Sequence, residues 1–242
     1  MAFLTGAPVL SAASDVVLAA DAAPNPWFDP SWVADNWSTI VPLVGQHVRL
    51  TLVSVVIGAL IAFPLALLAR RTRGLAAGVL GLSTFVYTIP SLAMFAFIAP
   101  FTGLSETTVA IGLVLYSLVV LVRNFLAGLQ AVPAEVQEAA RGMGYGPGRM
   151  LLRVELPLAL PAIMTGLRIA TVTTVALVTV GVIVGQGGLG QVIIVNGFGA
   201  NYYRPPIVFG TLGCVLLALV ADQLLAVVER ILTPWTQRGA AA

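Results

Sequence analysis

Between Gln130 and Gly148 the chain places carboxylates, one arginine and small residues where they could work at a surface. Pro133 fits a first helical position, and Glu135 in the first turn suits the positive end of a helix dipole. Ala134, Ala139 and Ala140 are strong helix formers. Gly142 and Gly144 can stop the helix in a left-handed conformation, with Arg141 before them and Met143 between them. Pro147-Gly148 then starts another short helix, Arg149 to Leu156, before Pro157. The chemistry on offer is contact rather than catalysis: Glu138 can make a charge-assisted hydrogen bond with a partner's Arg or Lys. A rigid helix bounded by sharp turns also transmits a push as a body, where a floppy loop absorbs it.

No catalytic residue stands out. One His (His47) and one Cys (Cys214) cannot build a zinc site of three or four ligands, and one Cys makes no internal disulfide. An enzyme needs clustered nucleophiles and bases facing one cavity, and His47 sits alone. All twelve basic residues are Arg, so the Gly-x-x-x-x-Gly-Lys phosphate loop is impossible here. A net charge of +2 without a basic, aromatic-lined groove gives no reason to expect nucleic acid.

The elements that must position this segment are read from hydropathy. Of 242 residues, 59% are hydrophobic and only 9% charged, with a mean hydropathy of +0.99. A soluble domain carries about 25% charged residues, and several apolar runs reach the roughly 20 residues that cross a bilayer. The expected fold is all-α and integral to the membrane. Five spans are predicted: Val48–Ala69, Leu75–Ala99, Thr107–Leu126, one within Leu158–Val184 and one within Pro206–Val228. Residues 1–40 form an N-terminal extracytoplasmic or interfacial segment, 41–230 the transmembrane domain with its loop at about 130–157, and 231–242 a cytoplasmic tail. Arg70, Arg71, Arg73, Arg141, Arg149, Arg153, Arg230 and Arg238 flank one side, against Arg49 and Arg204 on the other. This asymmetry puts the N-terminus outside and the loop and C-terminus in the cytoplasm.

The Ala-rich first 24 residues lack a positive n-region, so no signal cleavage is expected. Asp29 can cap a short helix starting at Pro30, and Trp27, Trp32 and Trp37 suit a membrane–water interface, with a plain linker as the alternative. Small residues at Gly58, Ala62 and Ala66, at Gly78 and Gly81, and at Gly166, Ala170 and Ala176 mark close helix contacts. Pro64, Pro90 and Pro161 mark kinks. Arg123, Arg168 and Asp222 lie near the inner ends of spans; either arginine could pair with Asp222.

Glu138-Ala139-Ala140, three residues, Gly144, nine residues, Val154, one residue, then Leu156-Pro157 resembles the EAA signature of binding-protein-dependent ABC importer permeases, with Val154 where that family usually has Ile. Thr88-Ile89-Pro90-Ser91-Leu92-Ala93, Arg123-Asn124 with Gly128-Leu129, and Gly185-Gln186-Gly187-Gly188-Leu189-Gly190 resemble its glycine betaine, carnitine and choline branch. Tyr87 and Gln186 depart from that branch, which commonly has Gln and Ala there. The likeness covers about Val41–Ala226. It implies a multi-pass subunit of the bacterial cytoplasmic membrane whose segment Glu135–Gly144 docks on a cytoplasmic ATPase. ATP and Mg would be bound by two copies of that partner, and no cofactor by this chain. It further implies a second permease, identical or paralogous, and an extracytoplasmic binding protein delivering solute to outer loops including Gly185–Pro205. That glycine-rich loop could equally be an ordinary packed re-entrant turn. Solute on this reading is a quaternary ammonium osmoprotectant passing Tyr87, Ser91, Tyr116 and Asn124. A permease for another small solute such as an amino acid is the alternative. A secondary transporter or channel fits less well, because five spans do not divide into equal repeats.

Overall fold

A computed structural model describes residues 25–235, and every regular element among them is helical. The expectation of an uncleaved N-terminal segment, Arg238 and the end of the tail lie outside the described residues. The short helix α1 (Pro30–Asp35) forms as its sequence suggests, with Asp29 Oδ1 accepting from the Ser31 amide at 3.1 Å and Pro30 in the first turn. Helix α2 (Trp37–Ala69) begins eleven residues before the expected start of the first span. Its 33 residues make about 50 Å of helix, more than the ~30 Å hydrocarbon layer needs. Pro64 lies inside this helix without ending it.

The second span is not straight. Helices α3 (Arg73–Thr88) and α4 (Ser91–Thr102) meet at 94°. Pro90 causes the break, because a proline drives the residue before it out of the helical region; Ile89 stands at φ −69°, ψ 125°. The carbonyl of Ile89, freed by the break, accepts a hydrogen bond from the Tyr116 hydroxyl. Since α3 packs beside the end of α2 and α4 ends beside the start of α5, the bent pair still traverses the bundle.

Helix α5 (Glu106–Gln130) is the central element, capped by Ser105 and buried over much of its length between α2 and α7. After α6 (Ala134–Gly142) comes α7 (Pro147–Val184), a single 38-residue helix where a short helix and a separate span were expected. It passes Pro157 because Leu151–Glu155 takes a wider π turn, whose i→i+5 bonding moves carbonyls off the proline ring, and it carries Pro161 within regular α-helix. Its last turn, Thr179–Val184, tightens to 3-10 geometry. Helix α8 (Leu189–Phe198) is too short to span, and α9 (Arg204–Leu232) lies along α7 with little of its surface covered.

Two apolar clusters hold the bundle. Near α6, Ala62, Ala66 and Ala69 meet Leu121, Phe125, Leu129, Ala159 and Ile163. At the other end, Leu50 meets Phe95, Val109, Leu113, Val178 and Val184. In lipid there is little hydrophobic gain from helix association, so small residues at these seams bring backbones close enough for dispersion contacts. A Cβ on Gly58 would come 2.2 Å from Ser117 Oγ, and one on Gly166 2.6 Å from Asn124 Cβ. Gly78 and Gly81 make no such contact, and Ala176 is exposed, so these three are not packing positions within the chain.

Candidate functional site

Helix α6 is joined to the bundle mainly through the start of α7. Ala140, 2% exposed, is its buried anchor, while Glu135, Glu138, Ala139, Arg141, Gly142 and Met143 face outward. Among the described residues neither Glu135 nor Glu138 has an ion-pair partner, so both carboxylates are free for another surface. Pro133 sits one position before the helix rather than in its first turn, and its carbonyl accepts from the Gln137 amide at 3.3 Å.

The turn after α6 explains the glycine of the motif. The Tyr145 amide donates to the Ala140 carbonyl at 3.1 Å and the Gly144 amide to that of Arg141 at 2.9 Å. These are the paired bonds of a Schellman stop, whose central residue must be left-handed; Gly144 has φ +82°. Gly142 stays helical, contrary to expectation. A Cβ on Gly144 would meet nothing within 4 Å, so the requirement is conformational, not steric crowding. At the end of the motif, Glu155 is buried and pairs with Arg70 at 2.5 Å, tying the start of α7 to the end of α2. Sequence reasoning missed this pair. Its signal was an acid inside an apolar run, opposite an arginine cluster at the same membrane side.

Three of the four suggested path residues gather at the break between α3 and α4. The Tyr87 and Tyr116 rings stand edge-to-face at 5.8 Å, Tyr116 buried and Tyr87 49% exposed. Ser91 opens α4 and lines a cavity of about 640 Å³ with Thr179, Val180 and Ile194. Asn124 does not join them: two turns further along α5, it bonds the Val120 carbonyl at 2.8 Å and packs on Gly166.

The glycine-rich loop is a tightly packed turn. Gly188 (φ +52°) leaves no room for a side chain, its Cβ position being 2.7 Å from His47 Cβ. His47, far from standing alone, is fully buried between three elements. Its Nδ1 accepts from the Leu189 amide at 3.2 Å and its Nε2 lies 3.0 Å from the Val175 carbonyl, which requires the Nε2–H tautomer. Gln46 Oε1 accepts from the Gly188 amide at 2.9 Å, and its Nε2 donates to Gln186 Oε1 at 2.6 Å and Glu106 Oε1 at 3.0 Å. Glu106 also pairs with Arg49. Between α7 and α9, Asp222 pairs with Arg168, not with Arg123, which reaches Thr84 instead. Glu229 adds a second carboxylate to Arg168 at 3.3 Å.

The Glu-Ala-Ala…Gly segment thus stands on a Schellman-stopped helix at one end of an all-helical bundle. The family model described as binding-protein-dependent transport system inner membrane component matches residues 37–233. The chain belongs to that family. It is thus a multi-pass inner-membrane permease component of an ABC transporter, not an enzyme in its own right. It is 36% identical over 190 residues to the choline transport system permease protein OpuBB of Bacillus subtilis, covering 78% of this chain and 86% of that protein. The glycine betaine/carnitine/choline permease OpuCB of Bacillus subtilis is 33% identical, covering 86% and 95%. The osmoprotectant import permease OsmW of Salmonella typhimurium is 35% identical, covering 84% and 96%. In fold the chain is similar to the methionine ABC transporter MetNI in its inward-facing form, with a TM-score of 0.70 and 24% identity over 80% of this chain and 96% of that one.

Proposed function

We propose that this permease carries quaternary ammonium osmoprotectants such as glycine betaine, choline, carnitine and proline betaine into the cell, driven by a separate ATPase. The observation that carries the solute class is the 33–36% identity, over most of both chains, to permeases named for choline, carnitine and glycine betaine transport. The N-terminus is outside, and α6 enters a groove of the ATPase, one of two copies serving a pair of permeases. The outward-facing, unpaired Glu135 and Glu138 support that docking. A binding protein delivers solute at the opposite end, where the Gly185–Gly190 turn packs on α2. The exposed face of Tyr87 suits the pathway, since a quaternary ammonium has no N–H to donate and is held by aromatic faces at about 0.5–2 kcal/mol each. A weak contact of this kind lets solute leave as well as enter.

The test is uptake of labelled betaine, choline and carnitine at high osmolarity in cells with the gene deleted and then restored. Loss and recovery of at least one flux is the expected result. Unchanged fluxes of all three, with an amino acid or a neutral sugar depending on the gene, would leave the family standing and overturn the solute class.

A further inference from the structure

At the end of the bundle opposite α6, an apolar crevice of about 340 Å³ runs between the first turns of α2 and those of α9. Trp37, Ile40 and Val44 form one wall, Phe209 and Gly213 the other, and Leu189 of α8 closes the side between them. Both walls belong to helices long and apolar enough to cross a membrane, so a crevice between them can face hydrocarbon. Water would find almost no partners in it.

Five residues before Phe209 on the same helix, a positive charge is held in place. Arg204 begins α9, and its guanidinium lies over the Trp27 ring, 4.7 Å from the centroid, while Nη1 donates to the Asn25 carbonyl at 3.0 Å. Asn25 is fixed in turn, its Oδ1 accepting from the Arg204 amide at 2.8 Å and its Nδ2 donating to the Tyr202 carbonyl at 3.1 Å. Next along the chain, Phe28 stacks at 5.0 Å on Phe209, which itself lines the crevice. Among the described residues Arg204 has no carboxylate partner, whereas Arg49 and Arg70 each have one and Arg168 has two. A guanidinium has five donors, and phosphate is a preferred bidentate acceptor for them. The clasp that positions it, Asn25 to Phe28, lies outside the residues that the family model matches.

We propose that this crevice holds one phospholipid of the surrounding bilayer, with an acyl chain between α2 and α9 and its phosphate on Arg204. A slot that excludes water, open to lipid at one side and flanked by a fixed, unpaired cation, has the two-part chemistry of such an amphiphile. The bound lipid would brace the N-terminal clasp against the start of α9 and belongs to the leaflet opposite α6.

The test uses the full chain with phosphatidylglycerol as the probe. In native mass spectrometry, the wild type should retain one phosphatidylglycerol per permease at detergent levels that strip annular lipid. Arg204→Gln should lose that preference and bind diacylglycerol as well as the wild type does. Gly213→Leu, which fills the crevice, should bind neither; Gly213→Ala, which meets only Leu189 at 3.3 Å, guards against misfolding and should still bind. As a second readout, Trp37 in a Trp27→Phe, Trp32→Phe, Trp235→Phe background should be quenched by chain-brominated phosphatidylglycerol, and much less so with Gly213→Leu. Retention unchanged by both Arg204→Gln and Gly213→Leu overturns the proposal. So does quenching of Trp37 by aqueous iodide alone, or by neither agent, since water or protein would then fill the crevice.

Discussion

The imidazole Nδ1 of His47 and the backbone amide of Leu189 lie 3.2 Å apart although 142 residues separate them. The other ring nitrogen serves Val175, so one buried side chain joins α2, α7 and the glycine-rich turn. His47→Leu should leave the Leu189 N–H and the Val175 C=O without partners, at about 1–3 kcal/mol for each buried group. The expected outcome is a lower unfolding temperature for the purified permease and faster proteolysis of the turn. His47→Gln, with one donor and one acceptor, should recover part of both.

Gly144 separates a conformational requirement from a steric one. Its φ of +82° costs a β-branched residue roughly 1–3 kcal/mol, while its Cβ position is open. Gly144→Val should insert normally yet lose solute uptake and purify with less ATPase. Gly144→Asn, which tolerates the left-handed region, should keep most of both. Equal uptake by Gly144→Val and the wild type would mean that the turn does not position α6 for coupling.

Glu138 is exposed and unpaired, so removing its charge should leave the fold alone. Glu138→Gln should unfold at the wild-type temperature but bind the ATPase more weakly. The expected loss is about 1.5–3 kcal/mol if one charge-assisted hydrogen bond is made, read as the rise in Kd between purified subunits.

Arg168 and Asp222 meet through two hydrogen bonds, at 2.8 and 2.9 Å, within spanning helices. Removing either partner leaves the other ionised in a region where lone charges are disfavoured. Arg168→Ala and Asp222→Ala should each reduce the amount of folded permease recovered from membranes, and the exchange Arg168→Asp with Asp222→Arg should restore some of it. Arg123→Ala should recover like the wild type, since Arg123 is not the partner of Asp222.

Orientation follows from chemistry at two exposed positions, Ala134 and Ala200. With Cys214→Ala, a cysteine at position 134 should react with a membrane-impermeant thiol reagent only in inside-out vesicles. One at position 200 should react in intact cells once any outer envelope is made permeable. The opposite labelling would reverse the proposed topology.

The sequence by itself determined the membrane class, the helical architecture and the short helix α6, because each rests on local physics. Apolar run length decides what can cross a bilayer, and the short-range order of Pro, Glu, Ala and Gly decides where α6 starts and stops. The Asp29 cap on α1 was legible for the same reason. Tertiary structure alone decided the rest. Whether Pro90 bends a span slightly or by 94° depends on whether a partner can satisfy the freed carbonyl, and Tyr116, 27 residues on, supplies it. Whether Asp222 takes Arg123 or Arg168 depends on which helix lies beside α9. His47, between Gln46 and Arg49, and Glu155, two residues after Arg153, carry nothing local that announces a partner on another helix. Local sequence carries the conformational preference of a segment. The distance between two side chains far apart in the chain exists only once the helices between them have packed.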